Sequence, residues 1–147
     1  MNSVGATAFI ASLSPGQRIG LGLGLILTGT AVAMGAVGSH IVQQHYPEGA
    51  STFAIALRYH TLHGIGVVLL CLLASLCHRR VIVVVTGCFI AGLLMFCGLL
   101  YLKSFGIISA SGPWVPLGGI SLILGWILWG SGVIWGAMGY RDPTDDS

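Results

Sequence analysis

Four long apolar blocks, separated by short polar punctuation, set the pattern of the chain. The first runs from Ile19 to about Ser39, between Arg18 and His40. At roughly 21 residues it makes about 30 Å of helix, the thickness of a bilayer's hydrocarbon. Pro47-Glu48 then predicts a helix start, because proline suits a first turn and an acid complements the positive end of the helix dipole. No strong breaker follows until after Cys77. A helix of that length, about 45 Å, exceeds the membrane's thickness. Residues 47–57 are therefore predicted to be an interfacial lead-in and 58–77 the second span. After the basic turn Cys77-His78-Arg79-Arg80, a third span is predicted over 81–102, ending at Lys103. A loop with Pro113, Trp114 and Pro116 leads to a fourth over 117–138. Trp114 is placed as an interfacial anchor.

Composition agrees with the pattern. Charged residues are 7% of the 147, against about 25% in soluble domains, and 55% are hydrophobic. The chain is predicted to be all-α, an integral membrane four-helix bundle in contact with the lipid bilayer. Its 23 glycines fall inside the apolar blocks, where close helix packing uses them. In the first span Gly20, Gly24, Gly35 and Gly38 recur on one face; in the fourth, Gly118, Gly125, Gly132 and Gly136 do the same. The Gly132-x-x-x-Gly136 side is expected to meet another copy or a larger membrane complex.

Charge fixes an expected orientation. An even number of spans puts both termini on one side, with Arg18, Arg79, Arg80 and Arg141; the other side carries Arg58 and Lys103. The excess of Lys and Arg marks the cytoplasmic face, so both termini are expected there. Residues 1–17 carry no Lys or Arg, unlike a secretory signal, and are expected to be kept and to lie at the interface or move freely. The tail, 141–147, is acidic. A net charge of +2 without a basic run interleaved with aromatics excludes nucleic acid as a partner. Cys71, Cys77, Cys88 and Cys97 form no C-x-x-C pair and read as small apolar residues.

The candidate chemistry gathers at the non-cytoplasmic rim: His40, Arg58, Tyr59, His60, His63, Tyr101 and Lys103. Tyr59 and His63, four apart, share a helix face, as do His60 and His63, three apart. Four readings stand. The groups hold helices together and sit in the aromatic belt. Arg58 and Lys103 hold an anionic lipid headgroup or a partner's carboxylate. His40, His60 and His63 bind a metal, although their spacing matches no ligand motif. Histidines on two helices hold a haem.

Several short motifs resemble a known family. Gly35-Ala36-Val37-Gly38-Ser39-His40, then Pro47-Glu48 leading to Phe53, Arg58-Tyr59 and His63, then Phe96-Cys97-Gly98-Leu99-Leu100-Tyr101, then Pro116-Leu117-Gly118-Gly119 through Gly125-Trp126 follow in order. Together they resemble the domain-of-unknown-function family 423, small bacterial inner-membrane proteins with a eukaryotic transmembrane-protein-256-like branch. The resemblance covers about residues 18–140. Val37 stands where the family has an aromatic, Cys97 and Leu99 where it has serines, and Val115 where threonine is usual. The resemblance implies the four-span fold and a bacterial inner membrane, with the mitochondrial inner membrane as alternative; it implies no activity.

The function classes narrow accordingly. All four acids lie outside the spans, so the carboxylates that couple ion transport are missing. Neither G-x-S-x-G nor H-E-x-x-H occurs, and no enzyme or cofactor is expected. The expected role is a structural, accessory or interaction subunit, as a homo-oligomer or within a larger complex. The alternatives are a small-solute transporter or channel formed by an oligomer, and a histidine-based metal or haem protein.

Overall fold

The computed structural model describes residues 13–110 and 112–138. The acidic tail and Arg141, like residues 1–12, lie outside the described residues. Those described are helical apart from short connections, with no strand among them. Four helices are long and apolar enough to cross a membrane: α1 (Pro15–His45), α2 (Pro47–Leu72), α3 (Arg79–Ser104) and α4 (Trp114–Met138).

Local chemistry explains the ends. Ser14 caps α1: its hydroxyl accepts the Gln17 N–H while the Gln17 side chain accepts the Ser14 N–H. Pro15 occupies the first turn. His78 caps α3 by accepting the Arg80 N–H. The α3–α4 loop turns on Gly106 and Gly112, at φ 70° and 53°, a left-handed backbone that glycine adopts without strain.

Two boundaries differ from the pattern-based ones. Helix α1 runs past residue 39 to His45, because Gly38–Val42 form a π turn that keeps the chain helical through the polar Gly-Ser-His. Helix α2 stops at Leu72, where a 3₁₀ turn over Ala74–Leu76 tightens the chain without any proline or glycine to announce it. A second π turn, Leu93–Gly98, interrupts α3.

The helices pack as two close pairs. Along α1 and α2 a Cβ on Gly20 would meet Cys71 at 2.6 Å, one on Gly24 the Val68 backbone at 2.9 Å, and one on Gly64 the Thr28 hydroxyl at 2.9 Å; Gly38 lies against the Phe53 ring. Along α3 and α4, Gly118 faces the Phe96 backbone, Gly125 faces Phe89, and Gly92 fits under Leu122. Small residues let backbones approach and replace the hydrophobic drive that lipid cannot supply. The core lies among α2, α3 and α4: Val67, Leu70, Val85, Phe89, Leu122 and Trp129. Helix α1 packs on α2 and reaches this core through the partly buried Leu27.

Gly132 and Gly136 do not look outward. A Cβ on Gly132 would meet Val81 at 2.8 Å, and one on Gly136 would run into the Leu76 carbonyl oxygen. This glycine pair seats α4 against α3 and the α2–α3 turn of the same chain, so the expectation that it meets another copy is corrected.

Candidate functional site

The seven residues expected at one polar rim occupy separate settings. His63 is deepest, at 1% exposure, in the middle of the bundle. Its Nδ1–H donates to the Tyr59 carbonyl one turn earlier, at 2.7 Å. Its Nε2 accepts the indole N–H of Trp126 from α4, at 3.1 Å. An indole nitrogen only donates, so Nε2 carries a lone pair and the ring is the neutral Nδ1–H tautomer. Tyr59 stacks on the imidazole, Phe89 meets it edge-on at 5.2 Å between centroids, and Trp126 leans over it at 6.0 Å. Gly66 makes room for Trp126, whose ring would lie 3.1 Å from a Cβ there. The neighbouring Trp129 indole N–H is buried without a partner among the described residues, so polar pairing in this core ends at Trp126.

His60 forms a second setting, nearer the rim and half-buried. The Thr30 hydroxyl donates to the Leu27 carbonyl at 2.8 Å, so toward His60 Nε2, 3.5 Å away, its oxygen accepts. Nδ1 then accepts the Tyr101 hydroxyl at 3.2 Å. Thr30, His60 and Tyr101 thus link α1, α2 and α3 through one imidazole. The geometry joins helices; neither histidine keeps a free lone pair for a substrate.

Of the other four, Tyr59 belongs with His63, and His40, Arg58 and Lys103 stand apart. His40 is exposed on the α1 π turn and has no hydrogen bond to either histidine among the described residues. Arg58 lies on the outward face of α2, with Ile55, Leu62, Ile65 and Leu69. Tyr59 keeps its ring partly exposed while touching Phe96 at 4.9 Å. Lys103 is exposed and lines a cleft at the end of the bundle with His45 and Glu48. Among the described residues no three His, Cys, Asp or Glu side chains lie close enough to share a metal ion.

Trp126, Thr30, His45 and Glu48 are the site residues that sequence reasoning missed. The signal for Trp126 was slight: it lies 63 residues from His63 and looks like any other tryptophan of a lipid-facing helix. His45 and Glu48 flank the recognised helix start at Pro47 and could have been read with it.

The motifs that carried the resemblance have physical counterparts. Gly35–His40 leads into the first π turn, and Phe96–Tyr101 overlaps the second. Residues 34–119 match the model of the family described as protein of unknown function DUF423. The chain belongs to that family. The match takes in both π turns, both imidazole settings except Thr30 and Trp126, and the whole rim cleft. The chain is also similar to the UPF0382 membrane protein YwdK of Bacillus subtilis (strain 168). They are 32% identical over 108 residues, which is 72% of this chain and 88% of YwdK. No solved structure matches the chain.

Proposed function

We propose that this DUF423 protein is a non-catalytic subunit of the membrane that assembles through the outer face of α1, in the first instance with a second copy of itself. The observation that carries the reading is how lightly α1 is held. Only 11% of its apolar stretch is buried within the bundle, against 28% to 33% for the other three spans. Its inner face, Gly20, Gly24, Ala31, Gly35 and Gly38, meets α2. On the opposite side Gly22, Gly29, Ala33 and Ala36 recur at steps of seven, four and three, again one helical face. A Cβ on Gly22 or Gly29 would meet nothing within 4 Å, and Ala33 and Ala36 are exposed. A helix with small residues on two opposite faces can pack on both sides.

The interior supports a structural role. His60 uses both ring nitrogens to join α2 to α1 and α3, His63 is fixed to its own helix through Nδ1 and joined to α4 through Nε2, and Ser121 donates to the Cys88 carbonyl across the α3–α4 contact at 2.9 Å. Gln17 donates to the Cys71 carbonyl, and Gly136 abuts Leu76, so both ends of the described chain lie at one end of the bundle. That end carries Arg18, Arg79 and Arg80 and is the proposed cytoplasmic face, in the plasma membrane of a bacterium such as the one YwdK comes from.

Gly29→Leu tests the reading. The position opens onto free space, so the bundle should keep its helicity and melting temperature while the assembly in mild detergent falls to monomer mass. Gly24→Leu, which faces the Val68 backbone, should instead lower the melting temperature. A wild-type protein that is already monomeric, or a Gly29→Leu variant of unchanged mass, would remove the proposal.

A further inference from the structure

The cleft at the far end of the bundle is built by one close backbone contact. Gly49 in the first turn of α2 lies against the Ser104 carbonyl at the end of α3, where any Cβ would collide. Ser104 is buried, and its hydroxyl donates to the Tyr101 carbonyl at 2.7 Å. The residues just before this contact on each helix, Glu48 and Lys103, therefore flank it. Both are exposed and both line an open cleft of about 570 Å³, which His45 and Ser109 also line. That volume lies in the range of small-molecule sites. Among the described residues Glu48 and Lys103 have no ion-pair partner, so opposite charges face one cleft without neutralising each other.

Depth narrows the ligand. Counted along α3 from Arg80, about 30 Å of helix reaches Leu100, the far edge of the hydrocarbon. Lys103, Ser104 and the start of α2 then stand among the headgroups. An anion alone would suit Lys103 and His45 but would be repelled by Glu48. A phosphate that carries its own cation suits all three.

We propose that this cleft binds a phospholipid with a phosphoethanolamine headgroup, its phosphate held by Lys103 beside His45 and its primary ammonium by Glu48. The ammonium donates hydrogen bonds to the carboxylate, which a quaternary ammonium cannot do. Phosphatidylethanolamine is thereby preferred both to phosphatidylcholine, which lacks the N–H donors, and to phosphatidylglycerol, which lacks the positive charge.

Native mass spectrometry of the full chain, with the three lipids at equal concentration and matched acyl chains, tests this. Phosphatidylethanolamine should be retained about fivefold more than either competitor, the ratio expected from one exposed ion pair gained over phosphatidylglycerol and from charge-assisted hydrogen bonds gained over phosphatidylcholine. Lys103→Gln should reduce retention of all three, and Lys103→Arg should restore it. Glu48→Gln should bring phosphatidylethanolamine down to the phosphatidylcholine level while leaving or raising phosphatidylglycerol. Both positions are exposed, and an unchanged melting temperature confirms the fold. Equal retention of the three lipids by the wild type, or a preference that survives Glu48→Gln, would overturn the proposal. Displacement of the lipid by water-soluble glycerophosphoethanolamine at equal concentration would also overturn it, by assigning the cleft to a soluble ligand.

Discussion

Replacing Gly118 by valine should cost the bundle about 3 kcal/mol, at the upper end of what overpacking a close contact does. A Cβ on Gly118 already meets the Phe96 nitrogen at 2.6 Å and the Met95 carbonyl carbon at 2.9 Å. Those are backbone atoms of the α3 π turn, which cannot swing aside as a side chain would. Helices α3 and α4 must therefore separate, withdrawing Leu122 from Gly92 and Trp126 from His63 in the same movement. Unfolding in detergent–denaturant mixtures should show the loss directly. Gly119→Ala is the matched control: a Cβ there stands 3.5 Å from the flexible Phe96 ring, ordinary contact, and stability should change by less than about 0.5 kcal/mol.

His63→Ala is expected to come next, at about 2–3 kcal/mol. Part is the cavity left among Tyr59, Phe89 and Trp126, scaled at about 24 cal/mol per Å³. In a bilayer that part dominates, because lipid is as apolar as the protein interior and the transfer contribution shrinks. The remainder is the stranded Trp126 N–H, about 1 kcal/mol. Trp126→Phe alone should cost about 1–2 kcal/mol, through the lost hydrogen bond and the smaller ring. The double variant should be less destabilised than the sum of the singles, by about 0.5–2 kcal/mol. Strict additivity in that cycle would mean that the bond contributes nothing to stability.

The fold was legible because its main determinant is one-dimensional. Blocks of about twenty apolar residues, with Arg18, Arg79, Arg80 and Lys103 near their limits, specify helices across a bilayer without reference to what each helix touches. The inner glycine face of α1 was legible for the same reason, since Gly20, Gly24, Gly35 and Gly38 declare their common side by spacing alone. What spacing cannot declare is the neighbour. Gly132 and Gly136 form as good a face as Gly20 and Gly24, and only the packing of α4 shows that Val81 and Leu76 of the same chain occupy it. The candidate site was legible in part. His60 and Tyr101 stood in the expected group and do meet, but they are 41 residues apart, and which imidazole each aromatic would choose depends on helix rotation. Rotation also separates Arg58 from Tyr59, adjacent in the chain, turning one outward and the other toward the core.

The π turn in α1 has a consequence for how this helix tolerates changes in length. Such a turn is an α-helix carrying one surplus residue. Deleting a single residue between 38 and 42 should absorb the surplus without breaking the helix, in contrast to a deletion near Gly24, where every later side chain would lose its groove. The shortened helix would return to regular α geometry with the turns on both sides in phase, so His45 stays at the mouth of the cleft and the α1–α2 seam is kept; the same deletion near Gly24 would rotate everything after it by about 100°. Single-codon gaps in homologous chains are therefore expected to fall within 38–42, and a chain with such a gap should keep both its span and the histidine side of its headgroup site.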